Sequence, residues 1–305
     1  IGEGIDAPMA GTALALTRDN AWWVQIDAQG LKAAAAKLRR SLGAAADTRG
    51  VIPAPDDQPV AAEGGFDVAA AADVYRTAFG PLEEMMGETD HLILVPSPGL
   101  FDIPFAATLR EAPAENSPAA LRAAPWLIRS HAISVLPSVA SLKALRDLPP
   151  EGTGQRPMAG FGNPIFSGAE KDLQQLPDTR DEVERMAASL KADGNQLFLG
   201  AAASEHTVKS EALDGFGVLA FATHGLKAGD LSGLEEPALA LTPGDGEDGL
   251  LTASEVANLN LDADWVILSA CNTAAGETAG EEGFSGLARA FLYAGARSLL
   301  VSHWP

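Results

Sequence analysis

Five short apolar runs in the second half of the chain restrict its fold more than any other feature. They are Met158 to Gly162, Leu197 to Leu199, Val218 to Ala222, Trp265 to Leu268 and Ser298 to Val301. Each is too short for a helix. Val218 to Ala222 and Trp265 to Leu268 also lack the polar alternation of a half-solvated strand, so they read as strands covered on both faces. Helical segments alternate with the runs: Thr179 to Lys191 with an acidic first turn, Ser204 to Leu213 with Ser204 as cap, Thr252 to Asn258, and the amphipathic Gly283 to Tyr293. A hairpin is expected around Ala238 to Thr242. Strand and helix in this rhythm predict an α/β fold, an open and mostly parallel sheet sandwiched by helices. No fixed-period repeat is visible in the chain.

The first half reads differently. Ala13 to Thr17 and Trp22 to Ile26 flank Arg18-Asp19-Asn20 as a hairpin, and Leu31 to Leu42 forms a helix that stops at Gly43. Residues 44–65, rich in Pro, Asp and Gly, read as an exposed loop. A helix is expected from Asp67 to Met86, broken near Pro81, then a doubly covered strand over His91 to Val95. A turn and short helix over Phe101 to Leu109, a strand over Ala132 to Leu136 and a helix capped by Ser138 complete this half. Pro149 to Gly154 is the clearest linker, which divides the chain into residues 1–150 and 151–305.

Charge excludes several functions. The chain carries 41 acidic against 21 basic residues, a formal net charge of -20. Such a field opposes nucleic acids and anionic membranes, whose binding needs clustered Lys and Arg. The densest basic group, Lys37, Arg39 and Arg40, reads as a solvated helix end. No apolar run approaches the roughly 20 residues of a membrane span, and no leader is visible at the start. Ile1 in place of Met suggests a piece of a longer polypeptide. The single cysteine excludes an internal disulfide and any multi-cysteine metal site, and it favours a cytoplasmic setting. No metal and no cofactor are expected. Gly244 to Gly249 fits GxGxxG literally, but its three carboxylates would repel a pyrophosphate. An EF-hand is excluded as well, since the twelfth position from Asp245 is Val256, so the segment reads as a solvated acidic turn. Ser285 in Gly283-Phe284-Ser285-Gly286 misses the spacing of a nucleophile elbow and reads as a helix start.

Parallel sheets gather chemistry at the carboxyl ends of their strands. His224 follows one apolar run and Cys271 another, 47 positions later, each among small residues. If the two strands pair, an imidazole beside the thiol would generate thiolate and protonate a leaving amine. The amides of Gly225 and Cys271 would then form a two-donor oxyanion hole. The order and separation match the caspase pattern, with its His about 50 residues upstream of Cys. A buried cysteine acting as a small hydrophobe, and a histidine satisfied at a strand end, remain the plain alternatives. Glu277, Glu281 and Glu282 either line a cleft for a cationic substrate residue or keep a loop in water.

Several longer segments carry a resemblance. Phe221-Ala222-Thr223-His224-Gly225, Leu268-Ser269-Ala270-Cys271-Asn272-Thr273 and Gly283 to Phe291 are similar to the CHAT domain family. So are Tyr293 to Arg297 leading to Ser302-His303-Trp304-Pro305, Val95-Pro96 through Pro104-Phe105-Ala106, and Phe161-Gly162-Asn163-Pro164. The resemblance implies a caspase-like fold with a non-catalytic amino-terminal α/β half. It carries the family's catalytic pair onto His224 and Cys271, with Gly225 in the oxyanion role. It also implies a bacterial origin, attached or partner tetratricopeptide repeats, and a further helix and strand beyond Pro305, so that the catalytic half is truncated. His303, where the family often has Leu, is expected at the polar rim. Asp172 and Asp178 follow the segment where caspase-like folds build a substrate pocket. Together with Glu281 and Glu282 they would favour a basic residue at the scissile bond. The expected activity is that of a cysteine endopeptidase acting on a protein or peptide. The alternatives are a catalytically silent interaction module and, third, an amidase or acyl transferase acting on a small molecule.

Overall fold

The computed structural model describes residues 10–42, 65–87, 89–97, 100–101, 103–136, 138–147, 156–167, 172–190, 195–270 and 286–301. The loop expected over 44–65 therefore lies, apart from Gly65, outside the described residues. The chain divides into two compact units, one drawn from segments that end at Leu136 and the other chiefly from the segment that follows.

In the first unit, strands β1 (Ala10–Leu16) and β2 (Ala21–Asp27) form an antiparallel hairpin, with Leu14 opposite Trp23. Asp27 accepts the Gly30 amide and so starts helix α1 (Ala28–Ser41) three residues earlier than the Ala-Leu-Lys composition predicts. Helix α2 (Val68–Ala78) is capped by Asp67 in the same way. Leu31, Ala34, Ala35 and Leu38 of α1 and Ala70, Ala71, Val74 and Tyr75 of α2 are buried, and the alanines let the two helices pack closely. The expected break at Pro81 is a 3-10 turn over Gly80–Leu82, followed by α3 (Glu83–Met86). Strand β3 (His91–Leu94), helices α4 (Pro118–Ala123) and α5 (Leu127–Ser130), and strand β4 (Ala132–Val135) complete the unit. β3 pairs in parallel with β4 in a two-stranded sheet. Its burial alternates, with His91 and Ile93 exposed, so the expectation of a strand covered on both faces is corrected. An apolar run does not by itself guarantee two covering layers.

The second unit opens with α6 (Val139–Asp147), whose start is held by Ser138. There follow β5 (Arg156–Gly162), α7 (Asp178–Leu190), β6 (Gln196–Leu199) and α8 (Glu205–Ser210). Next come β7 (Phe216–Ala222), β8 (Gly225–Leu226), β9 (Ala238–Ala240), β10 (Leu250–Thr252) and α9 (Ala253–Val256). Last are β11 (Trp265–Ser269), α10 (Gly286–Tyr293) and β12 (Leu299–Val301). Five of these strands form one parallel sheet in the order β12-β11-β7-β5-β6. All five are the apolar runs of the sequence. The hairpin expected near Ala238 is a three-stranded antiparallel sheet in the order β10-β9-β8.

The parallel sheet is pinned by an aromatic row. Phe198, Phe161 and Phe221 lie side by side across β6, β5 and β7, stacked at 4.8 and 4.9 Å, and Phe291 of α10 meets Phe221 at 5.4 Å. A one-residue slip of β5 would move Phe161 to the opposite face, so the row fixes the register. On that opposite face α7 lies over β5, where a Cβ on Gly160 would stand 2.3 Å from Val183 and one on Gly162 would stand 2.9 Å from the Thr179 carbonyl. On the same face Trp265 of β11 and Leu300 of β12 remain exposed, so the expectation that Trp265 to Leu268 is covered on both faces is corrected: this end of the sheet is open on the face that α7 covers over β5.

Candidate active site

β7 and β11 are neighbours, paired in parallel from Trp265 opposite Val218 to Ser269 opposite Ala222. The Thr223 amide extends the ladder by one bond, donating to the Ser269 carbonyl at 3.3 Å. His224 is thus the first residue past the ladder, two positions beyond Ala222, at the carboxyl edge of the sheet. Ala270, buried, follows Ser269 on the adjacent strand. Cys271, two positions beyond Ser269 in the sequence, lies outside the described residues.

His224 is 1% exposed, its ring tilted against Phe166 at 5.2 Å. Its Nε2 stands 2.7 Å from the Gln174 carbonyl oxygen. A carbonyl can only accept, so Nε2 carries a proton and donates it to Gln174. The His224 backbone is held as well. Its carbonyl accepts the Ala240 amide at 3.0 Å, and the buried Thr223 hydroxyl donates to the Ala240 carbonyl. Ring and backbone are therefore fixed from two sides, by the segment before α7 and by β9.

Gly225 opens β8 opposite Leu239. Hydrogen-bonded and non-bonded pairs alternate along an antiparallel ladder. Because Ala240 bonds to His224, the next pair is of the open kind, and the Gly225 N–H points away from β9.

Asp172 is exposed, two residues before the carbonyl that grips His224. Asp178 is the first residue of α7, also exposed. Between them Leu173 is buried with Phe166, Leu226, Leu234, Ala238, Ala240 and Leu250 in an apolar layer. Glu277, Glu281, Glu282, Ser285 and His303 lie outside the described residues. Gln174 had no signal in the sequence, because it acts through its backbone.

The acidic Gly244 to Gly249 segment is more than a solvated turn. Asp245 and Gly246, both with positive φ, make a tight turn closed by the Gly244 and Glu247 backbones. Behind it, the Lys209 ammonium lies 2.7 Å from a carboxylate oxygen of each of Glu205, Glu247 and Glu255. Glu205 is 1% exposed and accepts the Gly249 amide through its second oxygen. Burial raises the proton affinity of Glu205 above the usual carboxylate range, against the pull of Lys209 and Gly249. Glu255 is desolvated too, but Lys209 and the Thr252 amide and hydroxyl hold it below that range. The three carboxylates could in principle ligate a metal, yet the ammonium already fills the space between them. Two signals for this cluster were present in the sequence: the Glu205–Lys209 spacing of four on one helix, and the Thr252-x-x-Glu255 capping box.

A five-stranded parallel sheet between helices, with a held histidine at the edge where two central strands end, defines an α/β module of the caspase-like type. Residues 68–305, more than three quarters of the chain, match the CHAT domain family model, and the chain belongs to this family. No curated protein matches the chain significantly. CHAT domains are often found with tetratricopeptide repeats. Among the described residues, no helix is long and apolar enough to cross a membrane.

Proposed function

We propose that the chain is a cysteine endopeptidase in which Cys271 is the nucleophile and His224 the base. The observation that carries this reading is the register of the two central strands. Ala222 and Ser269 face each other, and His224 and Cys271 each follow their partner by two residues. Parallel strands run about 4.8 Å apart, so equal offsets favour an imidazole and a thiol side by side. The Gln174 contact supports the same assignment, since a neutral ring whose Nε2 donates there would accept the thiol proton at Nδ1.

In this mechanism the thiol proton passes to His224 Nδ1, and the sulfur attacks the scissile carbonyl carbon. The Gly225 and Cys271 amides receive the oxyanion. The C–N bond breaks as His224 returns the proton to the leaving amine. Water, deprotonated by the same ring, then hydrolyses the thioester and restores the thiol. Asp172 and Asp178, and Glu281 and Glu282 after the nucleophile, would favour a basic side chain beside the scissile bond. Residues 1–150 take no chemical part, and the catalytic half is 151–305. A protein substrate presented by attached repeats fits both the family and the acidic surface. A thiol-dependent mechanism also suits a reducing, cytoplasmic compartment.

Alkylation of Cys271 by an electrophilic peptide tests the assignment. His224→Ala is expected to slow labelling, and Cys271→Ala to abolish both labelling and cleavage. Full peptide cleavage after Cys271→Ala would sink it. A panel of fluorogenic peptides with basic or neutral residues at the cleaved position tests the acidic pocket, and equal rates would remove it.

A further inference from the structure

His224 is held through its backbone, and the elements that hold it lead to the half-buried ion cluster around Lys209. The Ala240 amide donates to the His224 carbonyl, and β9 passes this restraint to β10 through the pairs Ala240–Leu250, Leu239–Leu251 and Ala238–Thr252. Gly249, just before β10, bonds in two directions. Its carbonyl accepts the Leu241 amide at 2.7 Å, and its own amide donates to Glu205 at 2.7 Å. Glu247, at the end of the same turn, reaches Lys209. Thr252, which ends β10, is tied to Glu255, and Glu255 also reaches Lys209. Three separate places on the β9–β10 connection and its flank thus converge on one ammonium from α8.

We propose that Lys209 is a positioning residue for His224, its carboxylate cluster clamping the β10-β9-β8 sheet so that the imidazole stays seated on Gln174. The inference rests on the reading of His224 as the base, but it concerns the geometry of the ring and not the reactivity of the thiol. Without the ammonium, three carboxylates with oxygens within 4.8 Å of one another repel. The buried Glu205 is then left charged without its counter-ion, or takes up a proton; either change loosens its hold on Gly249. The movement reaches Ala240 in two ladder steps and His224 in one more.

The test is the tautomer of His224, read from long-range proton–nitrogen spectra of the ¹⁵N-histidine-labelled 305-residue chain. His224→Gln assigns its signal among the five histidines. The wild type is expected to show a single Nε2–H tautomer. Lys209→Met is expected to lose it in favour of exchange between tautomers, and Lys209→Arg to restore it in part. Arg297→Met breaks ion pairs to Asp262 and Asp264 elsewhere in the same unit and is expected to leave the signal unchanged. A wild-type signal in Lys209→Met, or an equal disturbance in Arg297→Met, overturns the proposal. If Lys209→Met does not fold, Glu247→Gln removes the turn's link alone, and an unchanged signal there is equally fatal. An inert Cys271 beside a Lys209-dependent tautomer would defeat the peptidase reading and leave this one standing.

Discussion

In the second unit a parallel sheet of five strands lies between helices, while each sheet of the first unit has two strands and keeps one face in water. The β1–β2 hairpin turns Gly11, Ala13, Ala15, Val24 and Ile26 inward over α1 and α2, and turns Leu14, Leu16 and Trp23 outward. Here the helices are the core and the sheet is their cover. In the second unit the sheet itself is the core, and the helices cover it. The consequence is functional. Strand ends that emerge from a doubly covered sheet are fixed by packing from both sides, so side chains just beyond them can be held to the accuracy that catalysis requires. His224 sits at such an end.

The sharpest way to break this comparison is to remove the aromatic row from the sheet. Phe161 is fully buried between Phe198 and Phe221, and Phe161→Ala is expected to destabilise the second unit by about 3–5 kcal/mol. Urea unfolding followed by amide signals from each unit would show it. A loss below about 1 kcal/mol would mean that the row is not what holds the sheet.

A smaller effect should separate the units by their charges. The ion pairs of the first unit, such as Arg76–Asp73 and Arg110–Glu83, are exposed, and pairs of that kind contribute little. Lys209 is half-buried. Desolvation lowers its proton affinity, but hydrogen bonds to Glu205, Glu247 and Glu255 outweigh this and raise it above the ordinary lysine value. A raised folded value means stability that is complete below the unfolded value of 10.5 and is lost as the pH climbs above it. Thermal melts of wild type and Lys209→Met between pH 9 and the alkaline limit check the sign. The wild type is expected to fall more steeply above 10.5. Parallel curves would show that the cluster adds no linked stability.

What was legible in the sequence follows the same division. The central strands β5 and β7 could be read because burial on both faces writes itself as an uninterrupted apolar run, and β11 and β12 because their runs stay apolar although one face is partly open. The helix starts at Ser138 and Ser204 were legible because a cap is a local event between a hydroxyl and an amide three residues on. The strand over His91 to Val95 misled, since its apolar run faces a covered side only at alternate residues. His224 was visible as a residue type, but Gln174 was not, because any residue offers the same carbonyl. The Lys209 cluster is intermediate. Its helical pair and its capping box are each local patterns, but only the fold brings Glu247 to them.

The smallest expected effect lies on the outer face of the hairpin. Trp23 is 73% exposed opposite Leu14, itself 61% exposed. A side chain that stays in water on folding gains little from burial, so Trp23→Ser is expected to change stability by no more than about 0.5 kcal/mol. Part of even that change would come from the lower strand preference of serine beside a cross-strand neighbour. Chemical denaturation of the first unit measures it. A loss of 2 kcal/mol or more, roughly what burying such a side chain yields, would mean that this face is covered in solution. The first unit's sheet would then be a core layer like the second's, and the contrast between the units would fail at its plainest point.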